Sequence, residues 1–431
     1  MIRLIVLISF CLTFAAFFPV FSLAAGGEPY GISLFAAMQY TLEKNPQILA
    51  AKESVRAYDA GLRSEKKQWL PGVSLAAIGE EADDSYAYVR VQQPLWLGGR
   101  IKNAVEKAKR QLDLSEIQLL KVRRELMEQT VIAYTTVTGL IEQLKAARLN
   151  IDEHERFLDL ISRRTKGKIA AEADVQLARS RYSQSMLTQE DLKGQYQTAL
   201  NDLYALTRTP MNQFESGQSE QGLFEPVPRE LLDLPGHARV EAEVSDGSPR
   251  IRMAILEIDI ARINRHISRA EWYPQVYGRL DQELYDKEGT TSQQRDTTLA
   301  LVVQSALDGG GFRTLEQVRA AEARVRVAQM QSDAEKNDVS RTTRSLLTDR
   351  DMVRKLTRLY DSLVQSTGQT LGSYTRQYEA GRKSWLDLLN VQREYANARQ
   401  SLAQVNARYE QTCLRLAVQM GRLDSQSGLA Q

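Results

Sequence analysis

Apolar residues recur through the C-terminal part of the chain with spacings that alternate between four and three. Leu388, Val391, Tyr395, Ala398, Leu402, Val405, Tyr409, Thr412 and Leu416 form one stripe, the seam of a coiled-coil helix that follows a turn at Gly381. The same stripe stands earlier in the chain, position for position at one constant offset, as Val175, Ala178, Tyr182, Ser185, Gln189, Leu192, Tyr196, Ala199 and Leu203. A glycine turn precedes both stripes, at Gly167 and Gly381, and an acid opens both helices, Asp174 and Asp387. Helical period alone does not reproduce phase, turn and acid together. The chain therefore reads as a tandem duplication whose period exceeds that of any solenoid repeat.

The remaining pattern orders the elements between these stripes. Residues 34–68 predict a helix with a kink at Asn45-Pro46 and a stop at Leu70-Pro71. Over 73–80 and 86–92 the period falls to two, with Ala87, Val89 and Val91 on one face and Tyr86, Tyr88, Arg90 and Gln92 on the other. That alternation predicts a hairpin with a polar tip at 81–85. Pro94 and Gly98-Gly99 are expected to close the strand and release a helix that runs to Lys166, about 100 Å long at 1.5 Å per residue. Its seam is Leu126, Thr130, Ala133, Val137, Leu140, Leu144, Ala147 and Ile151, and Gly167 is placed as its C-cap. A return helix over 171–206 ends before Thr209-Pro210. Two short helices laid end to end match the long one between them.

The second half repeats the order. Ser248-Pro249 answers Asn45-Pro46 and Tyr273-Pro274 answers Leu70-Pro71 at the same displacement, and the glycines at 309–311 answer Gly98-Gly99. Val276, Gly278 and Leu280 alternate with Tyr277, Arg279, Asp281 and Glu283 before a polar tip at 286–296 and a return strand carrying Leu299, Leu301 and Val303. A long helix over 312–380 sets Leu346, Val353, Tyr360 and Leu371 against Ala133, Leu140, Ala147 and Leu158, at the offset that separates Asp174 from Asp387. The division expected is a signal peptide at 1–25, a first repeat at 26–209, a proline-rich connector at 210–248 packed outside the bundle, a second repeat at 249–423, and a tail at 424–431.

Composition narrows what these elements do. With 56 basic against 54 acidic residues, the chain offers no electrostatic footprint for a nucleic-acid partner. An early arginine, an apolar run and small residues at Ser22, Ala24 and Ala25 predict a cleavable secretory signal. Cys11 lies inside that signal, so Cys413 stands without an intrachain disulfide partner. Beyond the signal no apolar run reaches the roughly 18 residues of a membrane helix, which leaves strands for any membrane contact. Trp69, Trp96 and Trp272 fall at strand ends, where they serve either as an interfacial girdle or as packed corners. His154, His237 and His266 are scattered, and neither a zinc motif, a phosphate loop nor a nucleophile elbow occurs. No catalytic, cofactor or metal site is expected.

Four strands cannot close a membrane barrel, whose smallest members have about eight, and an open edge is forbidden in lipid. Three copies supply twelve strands and a water-filled lumen over a ring of twelve helices. The fold class expected is mainly α with a small β part: an α-barrel of long coiled-coil helices, with four strands per protomer joining a trimeric outer-membrane β-barrel.

The twofold order of helix, hairpin, long helix and return helix resembles the TolC-like outer membrane factors. So do Asn45-Pro46, Leu70-Pro71, the run QPLWLGGR at 93–100, KGKIAAEADVQLARSRY at 166–182 and YEAGRKSWLDLLNVQREYANAR at 378–399. The resemblance implies a homotrimeric exit duct in the outer membrane of a Gram-negative cell, with a long periplasmic part. It implies as partners outer-membrane lipid, a periplasmic adaptor and an inner-membrane transporter, for efflux or type I secretion. The cargo stays open, with a polypeptide slightly favoured by the GGR strand exit alone. Residue by residue, Tyr378, Gly381, Lys383 and Asp387 match the family's second helical turn, and Gly167 and Asp174 its first, which together form the periplasmic tip and gate. Where the best-known members carry a second acid one turn beyond, this chain has Asn390, so a double acidic ring is in doubt. Lys383 and Asp174 are expected to tie adjacent helix pairs, with Tyr378 supporting them. Asp387 also completes a capping box with Ser384, so gate and cap both stand as roles for it, whereas Asp174 has Ala171 at the cap position. A periplasmic coiled-coil adaptor or scaffold without a pore is the rival reading.

Overall fold

Helix breakers and alternating strands lie where the periodicity puts them. In the computed structural model, which describes residues 32–79, 85–208, 224–286, 297–305 and 311–424, helices α1 (Leu34–Lys44) and α2 (Pro46–Lys66) meet at Asn45. The Asn45 side chain caps α2 by accepting from the Gln47 amide at 2.9 Å, and Pro46 fills the first helical position, where no amide donor is needed. Strands β1 (Gly72–Gly79) and β2 (Ser85–Trp96) lead into α3 (Arg100–Lys166), and α4 (Glu172–Thr207) returns beside it. The second half gives α5 (His237–Gly247), α6 (Pro249–Ala270), β3 (Gln275–Asp286), β4 (Thr297–Gln304), α7 (Phe312–Glu379) and α8 (Trp385–Gln419). The signal segment, residues 209–223 of the connector, the hairpin tips at 80–84 and 287–296, the strand exit at 306–310 with its first two glycines, and the tail from 425 lie outside the described residues.

Three expectations need correction. Pro94 does not end β2, which runs on to Trp96 with a bulge between them that absorbs the missing ladder donor. The proline-rich connector, for which the sequence predicts no helix, contains α5. At both ends that helix answers α1 at the displacement relating Ser248-Pro249 to Asn45-Pro46, so the helical pattern of the second half reaches back to His237. The third correction concerns the pairing of Gly167 with Gly381: Gly167 caps α3 as expected, at φ −76°, but the left-handed residue of the first turn is Lys168, at φ +60°, and Gly381 takes that place in the second turn, at φ +73°. Lys168 and Gly381 are the equivalent pair, and Gly167 answers Ala380. Both turns close alike: the Ile169 amide donates to the Arg164 carbonyl at 2.9 Å and the Arg382 amide to the Gln377 carbonyl at 2.8 Å.

A Cβ on Gly381 meets no atom within 4 Å, so substitution there strains only the backbone. Gly381→Ala is expected to lower stability by about 1–2 kcal/mol, and Lys168→Gly, which relieves the same strain, to leave it unchanged or raise it. Thermal melts of the two variants check the pair.

Burial follows the seams, fully at most positions of α3 and α4 and in part in α8, where Val391, Tyr395, Leu402, Val405 and Tyr409 are half-buried, as are Tyr182 and Gln189 of α4 and Tyr360 of α7. Of the α3 seam, every member from Leu126 to Ala147 is buried and Ile151 is half-buried; in α4, Val175, Ala178, Ser185, Leu192, Tyr196, Ala199 and Leu203 are buried. α3 packs against α2 and α4, α7 against α6 and α8, and the two halves join through α3 with α6 and α3 with α8. Two short helices thus flank each long one. At the α3–α8 contact, a Cβ on Gly139 would lie 2.5 Å from Cβ of Ala407, so only glycine allows that approach. Midway along the helices, Leu34, Met38, Met127, Tyr134 and Leu414 belong to one core, where the Tyr134 hydroxyl lies 2.8 Å and 2.6 Å from the Ile32 and Glu225 carbonyls.

The two hairpins join into a single antiparallel sheet in the order β1-β2-β3-β4. Its register aligns Val73, Val91, Leu280 and Leu299 in one row across all four strands, and Ser74, Arg90, Asp281 and Thr298 in the next. One face is therefore apolar and the other polar. On the apolar face Val73 and Leu75 are each 71% exposed, Leu299 80% and Leu301 68%. No helix among the described residues is long and apolar enough to cross a membrane.

Candidate functional site

Two places in the molecule combine geometry with chemistry: the end of the bundle where the helices turn, and the polar face of the sheet. At the turns, Phe157, Ile161, Val175, Ala178, Leu371, Tyr378, Trp385, Leu388 and Leu389 form a separate apolar cluster. Trp385, the first residue of α8, is its hub: its ring centroid lies 5.8 Å from Phe157 edge-on and 5.4 Å from Tyr378. Trp385 is 6% exposed, and its Nε1 has no hydrogen-bond partner among the described residues.

Sequence reading put Tyr378 at the tip without its partner. Arg164, in the last turn of α3, lies 4.6 Å over the Tyr378 ring and donates to the Tyr378 carbonyl at 3.0 Å. This links the first helical turn to the second. Burial pushes the Tyr378 phenol up, Arg164 opposes it, and Asp174 adds to it, which sets Asp174 in electrostatic range of the ring. The only advance signal for Arg164 was its place one turn before the C-cap, where a cation suits the helix terminus.

Asp387 adopts the capping box in full. Its amide donates to Ser384 Oγ at 3.1 Å and its carboxylate accepts from the Ser384 amide at 3.3 Å. These hydrogen bonds, with Lys383 nearby, hold its carboxyl below the usual range, so its charge persists until pH falls under that of an ordinary aspartate. Lys383 Nζ lies 4.5 Å over the Tyr374 ring, in a contact within its own helical hairpin. Asn390 is half-buried one turn beyond Asp387. Asp174 lies in the first turn of α4, whose cap Ala171 contributes no side-chain hydrogen bond.

On the polar face of the sheet, Asp281 bridges Arg90 at 2.8 Å and Arg279 at 3.1 Å, and Arg90 covers the Tyr88 ring at 4.7 Å. Trp69, Trp96 and Trp272, 44–47% exposed, lie at the end of the sheet where it meets the helices.

One titratable group escaped sequence reading. Glu410 lies half-buried on α8 in a cavity of about 760 Å³ beneath residues 224–227, facing Glu142 of α3, which Lys145 binds at 2.6 Å. Burial, and then Glu142, raise its carboxyl to about 7. A carboxyl raised by folding gives full stability below its unfolded value, near 4.3, and loses it as pH climbs toward 7. Glu410→Gln should therefore leave stability unchanged near pH 4 and raise it at pH 8 by an amount of order 1–3 kcal/mol. Melts at the two pH values check the sign. The free thiol of Cys413, on the same helix, is pushed by burial to about 11 and is inert near neutrality.

This architecture has known counterparts. The cobalt-zinc-cadmium resistance protein CzcC of Cupriavidus metallidurans is 22% identical over 88% of this chain and 87% of its own length. The alkaline protease secretion protein AprF of Pseudomonas aeruginosa is 22% identical over 94% of this chain and 88% of its own. The outer membrane protein VceC of Vibrio cholerae superposes with a TM-score of 0.77 at 17% identity, covering 90% of this chain and 96% of its own. The family model described as outer membrane efflux protein matches residues 37–207 and 242–422, one match for each half of the duplication. The chain belongs to the outer membrane efflux protein family, whose members are channels rather than enzymes.

Proposed function

We propose that this protein is a homotrimeric channel-tunnel of the outer membrane, the exit duct of a transporter completed by a periplasmic adaptor and an inner-membrane pump. The observation that carries this reading is the sheet: four strands, an apolar face open to its surroundings, a polar face bearing Arg90, Arg279 and Asp281, and edges at β1 and β4 that pair with no further strand among the described residues. Lipid tolerates no open edge, and a partner copy pairing β4 with β1 removes both. The helical edges agree. α2 and α4 lie at one side of the protomer and α7 at the other, and α4 exposes Met186 and Leu187 while α7 exposes Val327, Met330 and Leu359 for a neighbour. Apolar residues on both edges suit helix packing between copies better than the solvated surface of a lone scaffold. The two relatives named for metal resistance and for protease secretion differ in cargo, so efflux of small solutes and export of a polypeptide both fit the duct.

The tip gates this duct. Three copies of Asp387 form an acidic constriction that attracts cations, and Asp174 and Lys383 are the candidates to tie neighbouring helix pairs, Lys383 by exchanging its contact with the Tyr374 ring, with Tyr378 supporting them. Because Asp387 is also a cap, two variants separate its roles in planar bilayers. Asp387→Asn should weaken block by trivalent cations about tenfold or more, the loss expected when a focused charge is removed. Ser384→Ala keeps that charge, costs about 1 kcal/mol of helix capping, and should leave block unchanged. Equal block in Asp387→Asn and the unmodified protein would confine the residue to capping.

A further inference from the structure

We infer that the inner wall of the helical barrel, below the sheet, carries a seat for zwitterionic amphipathic molecules, built around Glu257 and Arg324. The inference rests on the duct reading for its lumen and on the protomer alone for its geometry.

A cavity of about 490 Å³ is lined by residues of four helices, α2, α3, α6 and α7, that pack side by side in that order. Its size is that of a small-molecule site. The duplication tells which side of the wall it occupies. Ser54 of α2 and Glu257 of α6 are equivalent positions, at the displacement relating Asn45 to Ser248. Gln111 of α3 and Arg324 of α7 are equivalent too, at the displacement relating Asp174 to Asp387. Equivalent positions on repeated helices of a barrel point the same radial way. They converge on one cavity only on the concave side, because outward-pointing side chains diverge. The cavity therefore faces the axis of the barrel.

The two repeats have diverged in chemistry at these positions. The first supplies the neutral Ser54 and Gln111, the second the charged Glu257 and Arg324. Both charged side chains are exposed, and neither forms an ion pair among the described residues. Elsewhere on the same helices, Arg250 binds Glu335, Arg269 binds Glu322 and Arg319 binds Glu316. An acid and a base without an ion-pair partner among the described residues line one cavity together with the Tyr58 ring and the apolar side chains of Leu114 and Ile260, a lining that matches a ligand with an aromatic body and opposite charges. A transported molecule of this kind would rest here on its way out, in three places per trimer.

The test uses the full trimer in lipid nanodiscs and two probes, rhodamine B, a zwitterion at neutral pH, and its methyl ester, which keeps the cation and loses the carboxylate. Fluorescence polarisation, corrected for protein-free nanodiscs, should show saturable binding of the acid and about tenfold weaker binding of the ester. Arg324→Gln should bring the acid down to the level of the ester and leave the ester unmoved. Glu257→Gln should weaken both. The same preparation is measured for conductance: a conducting trimer with no saturable binding, or with binding that neither substitution changes, overturns the seat. Binding with the expected pattern but without conductance supports the seat and counts against the duct reading instead.

Discussion

Leu299→Arg is expected to remove the assembled trimer from the outer membrane, while Thr298→Arg, one residue away, is expected to leave it in place. Leu299 is 80% exposed and continues the row of Val73, Val91 and Leu280 on the apolar face. In a water-soluble protein a leucine so exposed tolerates almost any polar replacement. Facing lipid, an arginine costs about 2–4 kcal/mol near the midplane, and the trimer bears that cost three times over. Thr298 is registered opposite Asp281 on the polar face, where an added arginine meets water and a carboxylate. Heat-modifiable trimers in the outer-membrane fraction report the difference. Equal recovery of both variants would place the sheet in water and favour the pore-free scaffold.

Trp385→Ala should have the largest effect at the opposite end of the molecule. Removing a buried tryptophan typically costs about 3–5 kcal/mol through lost transfer energy and the cavity left behind. Here the loss falls on a cluster separate from the main core, in contact with Phe157 and with the Tyr378 ring that Arg164 covers. The two helical turns are joined through those rings. Their loosening is expected to raise single-channel conductance, with the sheet and the mid-bundle core keeping the trimer intact. Trp385→Phe, which keeps an aromatic contact, should show a smaller rise. A variant that melts earlier at unchanged conductance would reduce this cluster to a brace and move the gate elsewhere.

Much of this fold was legible because its signals are periodic. A seam of fours and threes sustained from Leu388 to Leu416 defines a helix and its buried stripe together, and its recurrence in phase from Val175 to Leu203 exposes the duplication. Strand alternation likewise assigned Val91 and Arg90 to opposite faces before any register was known. What escaped was local or tertiary. Pro94 reads as a terminator, yet a bulge lets an X-Pro segment continue a strand. Gly167 and Gly381 read as equivalent turn glycines, yet Gly167 caps α3 at negative φ and the left-handed place of Gly381 falls to Lys168. α5 is short, and the prolines before it masked its period. At the tip, sequence reading found Tyr378 and the Ser384–Asp387 capping box but not Arg164, since a cation packed on a ring from another helix leaves no trace in spacing. Glu410 escaped for the same reason. Its raised carboxyl comes from a cavity that only the packing of α3, α8 and residues 224–227 creates.

The proposed duct closes with three chains, since among the described residues each protomer brings four strands with two edges that pair with no other strand. Native mass spectrometry of the conducting species, released from detergent after extraction from the outer membrane, tests it most directly. The expected result is a mass of three chains and no conducting species below it; a single chain that inserts and conducts would overturn closure by three.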